Sequence, residues 1–223
     1  MSTQTETMPP SSPAPSTPTT VTIVNAPGRF GQVGLAIARI VIGLLWFSQL
    51  LWKLPPTFGC PPDFAFRTSG LCDWLGREAT YAGNLHIFNL DLHLLGLPNF
   101  SIDLSPLSAA YGNFVRDFVM PNFSWMAWLI FAMELFITIS ILFGVLGRLG
   151  ALIGTLQALN LTIGLLPVPG EWEWTYILLV VANFMLLATA ANRYFGVDTL
   201  LHRRFAERAA EGHRLSRILK RLT

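Results

Sequence analysis

Residues 125–143 read WMAWLIFAMELFITISILF, and the fold and the function both turn on this stretch. Its 19 residues are enough to cross a bilayer as a helix, which needs about 20 mostly apolar residues. Glu134 lies at the centre, where an ionised carboxylate costs roughly 2.5–3.5 kcal/mol on insertion scales. The surrounding Leu, Ile, Phe and Val each return roughly 0.3–0.6 kcal/mol, so the segment inserts despite the acid. Spanning does not require Glu134. An intramembrane carboxylate is a functional candidate by default, and its structural alternative is an ion pair inside a helix bundle.

Composition extends this reading to the whole chain of 223 residues: 52% hydrophobic, 13% charged, mean hydropathy +0.49. Soluble domains carry about 25% charged residues. Apolar runs over residues 35–54, 125–143, 149–166 and 174–191 each have the length of a spanning helix. The expected fold is an all-α membrane protein: a four-transmembrane-helix bundle over residues 29–197, with a long structured extracytoplasmic loop, residues 55–122, between helices 1 and 2.

Charge sets the orientation. Residues 192–223 hold eight Lys/Arg against Asp198, Glu207 and Glu211, and Arg148 sits in the turn between the second and third helices. The 55–122 loop holds three Arg against six acids. The positive-inside rule then places both termini in the cytoplasm of a multi-pass protein of the plasma (inner) membrane. Trp52, Trp125, Trp128, Trp172 and Trp174 would form the outer aromatic belt. Residues 1–28, rich in Ser, Thr and Pro, read as a disordered cytoplasmic tail with no signal peptide, so the first helix serves as the insertion signal. Residues 198–223 read as a basic amphipathic segment on anionic lipid, with Asp198 as its N-cap and Gly212 dividing it. A soluble partner could dock there instead.

The outer loop is too long to be a bare connection. Ser105 and Pro106, followed by Leu107, Tyr111, Phe114, Val115 and Phe118, predict an amphipathic helix that stops before Pro121. Residues 70–80 predict another short helix, and the rest reads as irregular. Cys60 and Cys72, the two cysteines of the chain, form either a disulfide staple on the oxidising face or a redox pair that attacks a sulfur substrate. They lack CxxC spacing. His86, Asp91 and His93 are too few for a metal site, and none is expected.

Polar residues recur at one depth in the predicted bundle. Arg39 on the first helix is within reach of Glu134, and an Arg39–Glu134 pair would form the core of a catalytic or proton-relay layer. Gln157, Asn160 and Asn183 complete that layer, because polar side chains in spanning helices face the bundle interior. Nearer the outer boundary, Lys53 either snorkels to pair with Glu171 or Glu173 or holds an anion. Arg67, Arg77 and Arg116 are further anion-binding candidates.

Several of these residues carry a resemblance. Arg39-x-x-x-Gly43 with Lys53-Leu-Pro55-Pro56 after it, Glu134 followed by Gly144-Val-Leu-Gly-Arg148, and Asn192-Arg193-Tyr-Phe-Gly196-Val-Asp198 together resemble the DoxX/DoxD family, over roughly residues 35–200. The chain is most similar to the DoxD-type subunit of thiosulfate:quinone oxidoreductase. The resemblance implies a four-helix membrane subunit, often dependent on a second subunit, that oxidises thiosulfate to tetrathionate and passes electrons to quinone. Quinone would bind as electron-accepting substrate near Gln157, Asn160 and Asn183, with Glu134 and Arg39 relaying protons and Lys53 or Arg116 binding the anion. No haem-attachment, iron–sulfur, dinucleotide or zinc motif occurs, so no bound haem or metal is expected. Expected partners are lipids, quinone, and a second oxidoreductase subunit or further copies of the chain; nucleic acid is not among them. The alternatives are a non-catalytic membrane anchor that organises a redox complex and, with no internal repeat visible, a small-solute or proton transporter.

Overall fold

The structure, a computed structural model, describes residues 28–210. The four apolar runs become α1 (Arg29–Leu50), α4 (Phe123–Phe143), α5 (Gly147–Leu165) and α6 (Glu173–Thr189). By length and hydropathy, α1 and α4 can each cross a bilayer unaided, whereas α6 is apolar but has only 17 residues. The polar side chains of Gln157 and Asn160 dilute the apolar character of α5. α1 begins before residue 35 and ends before residue 54 because the chain turns after Leu50, the Lys53 N–H bonding the Leu50 carbonyl at 3.2 Å.

The buried residues of α1 are Ala36, Arg39, Gly43, Trp46 and Leu50. Their alternating steps of three and four make a narrow seam, the pattern of two helices packed side by side. Ile37, Val41, Leu44 and Leu45 are exposed on the same helix, as are Leu129, Leu156 and Phe184 on the others. Small residues let the helices close. A Cβ on Gly43 would stand 2.8 Å from Leu142 Cα, and one on Gly150 would stand 2.3 Å from Ser140 Cβ. Close approach at small residues is the usual way apolar helices associate where burial from water supplies no driving force.

A knot of polar contacts closes one end of the bundle. Arg39 Nη1 donates to the Ile141 and Leu142 carbonyls at 2.7 Å each, and Nη2 to the Phe195 carbonyl at 3.4 Å. The Ile141 and Leu142 carbonyls are among those that the end of α4 leaves without helical partners. The Asp198 carboxylate accepts the N–H groups of Leu146 and Gly147, both at 2.8 Å. Asp198 opens α7 (Asp198–Ala210), but its side chain caps the start of α5, where a carboxylate also meets the positive end of the helix dipole. Gly212 and residues 1–27 lie outside the described residues.

The 55–122 loop is a folded cap over the opposite end. It holds α2 (Gly70–Tyr81), a hairpin of β1 (His86–Leu90) and β2 (Phe100–Asp103), α3 (Ser105–Phe114) and one π-helical turn at Val115–Val119. Both predicted helices are present, with Pro106 in the first turn of α3. The antiparallel hairpin falls where the sequence reading expected irregular chain. Its strand residues are nearly all exposed, so no inside–outside alternation marks it. Cys60 and Cys72 form a disulfide with a Cα–Cα distance of 5.5 Å, and both are buried in a core with Phe58, Leu75, Val115 and Phe123. Gly59 and Gly70 take left-handed conformations where the two arms of this loop touch; a Cβ on Gly70 would stand 2.2 Å from the Gly59 carbonyl carbon.

Substituting Gly43 by Val should destabilise the α1–α4 crossing by about 1–3 kcal/mol, the usual penalty for overpacking. Gly34→Ala, where a Cβ meets nothing within 4 Å, is the control. Thermal unfolding in detergent reads the difference, and equal midpoints for the two variants would rule out the close crossing.

Candidate functional site

Between the cap core and the bundle core lies a cavity of about 840 Å³, with mostly apolar walls. Trp46, Ile42 and Met133 supply the bundle side, and Leu71, Leu75 and Val119 the cap side. Its polar side chains are few and converge from five elements. The Lys53 ammonium stands 2.5 Å from Glu134 Oε2, and both side chains are almost completely buried. Gln157 on α5 lies beside Glu134. Across the cavity the Tyr111 hydroxyl donates to Glu78 Oε2 at 3.0 Å, with Asn160 beside the same hydroxyl. Gln157 and Asn160 sit three residues apart on one face of α5, so this helix is next to both Glu134 and Tyr111. At the rim, the Tyr176 hydroxyl donates to Glu171 Oε2 at 2.7 Å.

The pair differs from the sequence expectation. Glu134 has Lys53 as its cationic partner, not Arg39. Arg39 contacts Ile141 and Leu142, seven and eight residues along α4 from Glu134, or about 10–12 Å at 1.5 Å per residue. The guanidinium reached for the free carbonyls of the helix end, which are nearer than the midplane acid. Lys53 does not snorkel outward to Glu171 or Glu173, because the cap buries the mouth of the bundle and leaves the ammonium an inward route only. Glu173 instead accepts the N–H of Phe88 and ties the hairpin to α6.

Of the expected pocket residues, Gln157 and Asn160 line the cavity and Asn183 does not. Asn183 is fully buried, accepts the Trp46 indole N–H at 3.2 Å and donates to the Leu179 carbonyl at 2.8 Å. The expected anion-binding arginines are engaged elsewhere. Arg116 donates to Asn113 and to the Ala79 carbonyl, Arg77 pairs with Asp73 at 2.8 Å, and Arg67 lies over the Tyr81 ring. His86 faces Asp103 across the hairpin. The disulfide sulfurs belong to the cap core and do not line the cavity.

Glu78 was not singled out from the sequence. The signal is there in the spacing Leu71, Leu75, Glu78, which puts the acid on the buried stripe of α2. Burial raises the Glu78 carboxyl from its ordinary 4.5 to about 7, against the opposing pull of the Tyr111 hydrogen bond and the Lys53 charge. Burial likewise pushes the Tyr111 hydroxyl far above the usual tyrosine range, with Glu78 adding to the effect. A carboxyl group that titrates near neutrality in an apolar cavity can hold or release a proton under physiological conditions.

The family described as the small subunit DoxD of TQO, thiosulfate:quinone oxidoreductase, matches residues 101–219, more than half of the chain. The chain belongs to the DoxD family. The family is that of a membrane subunit, which agrees with the two bilayer-length apolar helices and points to a partner subunit in the complex. The match takes in α3 to α7 with Tyr111, Glu134, Gln157 and Asn160, while Lys53 and Glu78 lie before it. No curated protein and no solved structure matches the chain.

Two outcomes follow from this geometry. Removing one partner of a buried ion pair costs about 3–5 kcal/mol, because the other charge is stranded. Lys53→Met should therefore destabilise by that order, and adding Glu134→Leu should restore most of the loss. A double-mutant cycle by thermal unfolding should find strong coupling for Lys53/Glu134 and coupling near zero for Arg39/Glu134; the reverse would refute the pairing. Second, the folded state holds the Glu78 proton more tightly than the unfolded chain does. Its contribution to stability is complete below about 4.5 and is lost as pH rises through about 7. Glu78→Gln should flatten that part of the stability–pH curve, and an unchanged curve would contradict the raised carboxyl.

Proposed function

We propose that this chain is the membrane-embedded, quinone-binding subunit of a thiosulfate-oxidising, quinone-reducing complex, with α1, α4, α5 and α6 spanning the bilayer. The cap would face outward, both termini would face the cytoplasm, and exposed Trp125, Trp128, Trp172 and Trp174 would mark the outer interface. The observation that carries this reading is the apolar cavity with the Lys53–Glu134 pair on its wall. Leu45, Leu129, Leu156 and Leu178 line it and are also about half exposed. In a bilayer those side chains face lipid, so a lipid-soluble ring can reach the polar wall from the membrane. Its volume falls within the range of ordinary small-molecule sites.

The charge balance favours a neutral ligand. Lys53 is the cation among the lining residues, and Glu134 matches it. A thiosulfate dianion would bring uncompensated charge into an apolar cavity, at high cost. Thiosulfate is therefore best oxidised at the partner subunit or on the outer face. Two thiosulfates join through a new S–S bond and release two electrons; the quinone takes up those electrons with two protons. The residues of this chain bind the ring, exclude water and supply protons. The buried Cys60–Cys72 disulfide acts as the staple of the cap in this reading, since it has no access to the cavity.

The rival reading, a non-catalytic membrane anchor, is separated by turnover. In membranes containing the whole complex, Glu134→Gln should lower thiosulfate-dependent reduction of decylubiquinone by about 10²-fold or more, the usual loss for a proton-transfer group. Leu156→Trp, which fills the cavity from its rim, should raise KM for the quinone. If both variants turn over like the wild type while deleting the chain abolishes activity, the chain is an anchor.

A further inference from the structure

We infer that Glu78, held by Tyr111, is a second proton-exchanging carboxyl of the cavity, acting opposite the Lys53–Glu134 pair on a bound quinone. This inference rests on the quinone reading above. Glu78 is buried at 4% exposure, on a helix of the cap rather than of the bundle. Its hydrogen-bonding partner is a neutral hydroxyl, while the nearby ammonium is committed to the other acid. A carboxyl buried without a cation in contact is stable when protonated and costly when ionised, which is the property of a group that loads and releases a proton.

The packing around Glu78 is built for this pair. A Cβ on Gly164 of α5 would stand 2.6 Å from Tyr111 Cε1 and 3.0 Å from Glu78 Cδ. A Cβ on Gly112 of α3 would collide with Ala82 at 2.1 Å, one residue beyond the C-terminus of α2. Gly164 thus leaves room for the carboxyl and the phenol, and Gly112 lets α3 approach the end of α2 closely enough for the two groups to meet. The charged and titratable groups that face Glu78 are Tyr111 from α3, Lys53 from the turn after α1, Glu134 from α4 and Tyr176 from α6. Lys53 favours the ionised form and Glu134 opposes it.

In the proton step, one quinone oxygen forms an O–H bond as the Glu78 O–H bond breaks, leaving a carboxylate. The other quinone oxygen forms its O–H bond as an N–H bond of the Lys53 ammonium breaks. The two electrons come from the reduced sulfur compound, so the quinone gains two electrons and two protons. Glu78 and Lys53 then each regain a proton from solvent. Removal of quinol from the cavity completes the cycle, and a bundle with one acid alone would have to reload between the two transfers.

The test uses the full chain in lipid nanodiscs. Infrared difference spectra taken across neutrality should show a protonated-carboxyl C=O band that disappears as pH rises through about 7. The band should be absent in Glu78→Gln and present in Glu134→Gln. Glu78→Gln keeps an oxygen acceptor for the Tyr111 hydroxyl, so the fold is retained and loss of the band reports the proton itself. Tyr111→Phe removes a hydrogen bond that favours the ionised form, and should move the midpoint upward. In membranes with the complete complex, Glu78→Gln should cut kcat for quinone reduction by about 10²-fold without weakening decylubiquinone binding. A band that persists in Glu78→Gln, or wild-type kcat in that variant, overturns the inference. Failure of the wild type to bind decylubiquinone, with the band still assigned to Glu78, removes the quinone reading and the proposed step while leaving the titrating carboxyl in place.

Discussion

An ammonium and a carboxylate 2.5 Å apart, both shut away from solvent, set the conditions that the rest of this molecule meets. Each charge alone would carry a desolvation penalty of several kcal/mol, and their attraction repays it only with good geometry and further hydrogen bonds. Gln157 of α5 is a polar neighbour of Glu134 on the cavity wall. The cap keeps Lys53 from turning outward toward solvent. Without that cap, Lys53 would stand at an open helix end and would lose little by leaving Glu134. The cap itself has a small core, and the Cys60–Cys72 bond at its centre restrains the loop in the unfolded chain.

The opposite end of the bundle uses polar residues differently. In the sequence Arg39 looks like a site residue, because it is charged and within an apolar helix, and Asp198 like the cap of the segment it opens. In the fold they satisfy backbone: Arg39 takes the last carbonyls of α4, and Asp198 takes the first N–H groups of α5. The turn between α4 and α5 is thereby locked in place, and with it the register that brings Gln157 opposite Glu134. Both residues are thus structural fastenings. The buried Lys53, Glu134 and Glu78 side chains are gathered at the end nearer the cap.

Glu134 and Glu78 have contrasting environments. Glu134 is matched by a lysine, and Glu78 by a tyrosine hydroxyl. Here the difference comes from the elements that carry them: one from a bundle helix beside the end of α1, the other from the cap.

The sequence by itself determined the four long apolar helices and the two short helices of the loop, and it marked as candidates Glu134, Lys53, Gln157 and Asn160, which line one cavity. These follow from local composition, spacing and the cost of polar groups in apolar surroundings, all of which the chain carries residue by residue. It also pointed to Cys60 and Cys72 as partners, because there are no others. The partner of Glu134 was decided only by the tertiary structure. Arg39 and Lys53 are both within a side chain's reach of a midplane acid in a schematic bundle, and the choice depends on which competing acceptors lie nearer. Carbonyls at the end of α4 claimed Arg39, and the cap turned Lys53 inward. Glu78 became a site residue for the same reason: its spacing marks a buried face of α2, but only the folding of that helix over the bundle mouth places its carboxyl opposite Glu134 in a shared cavity.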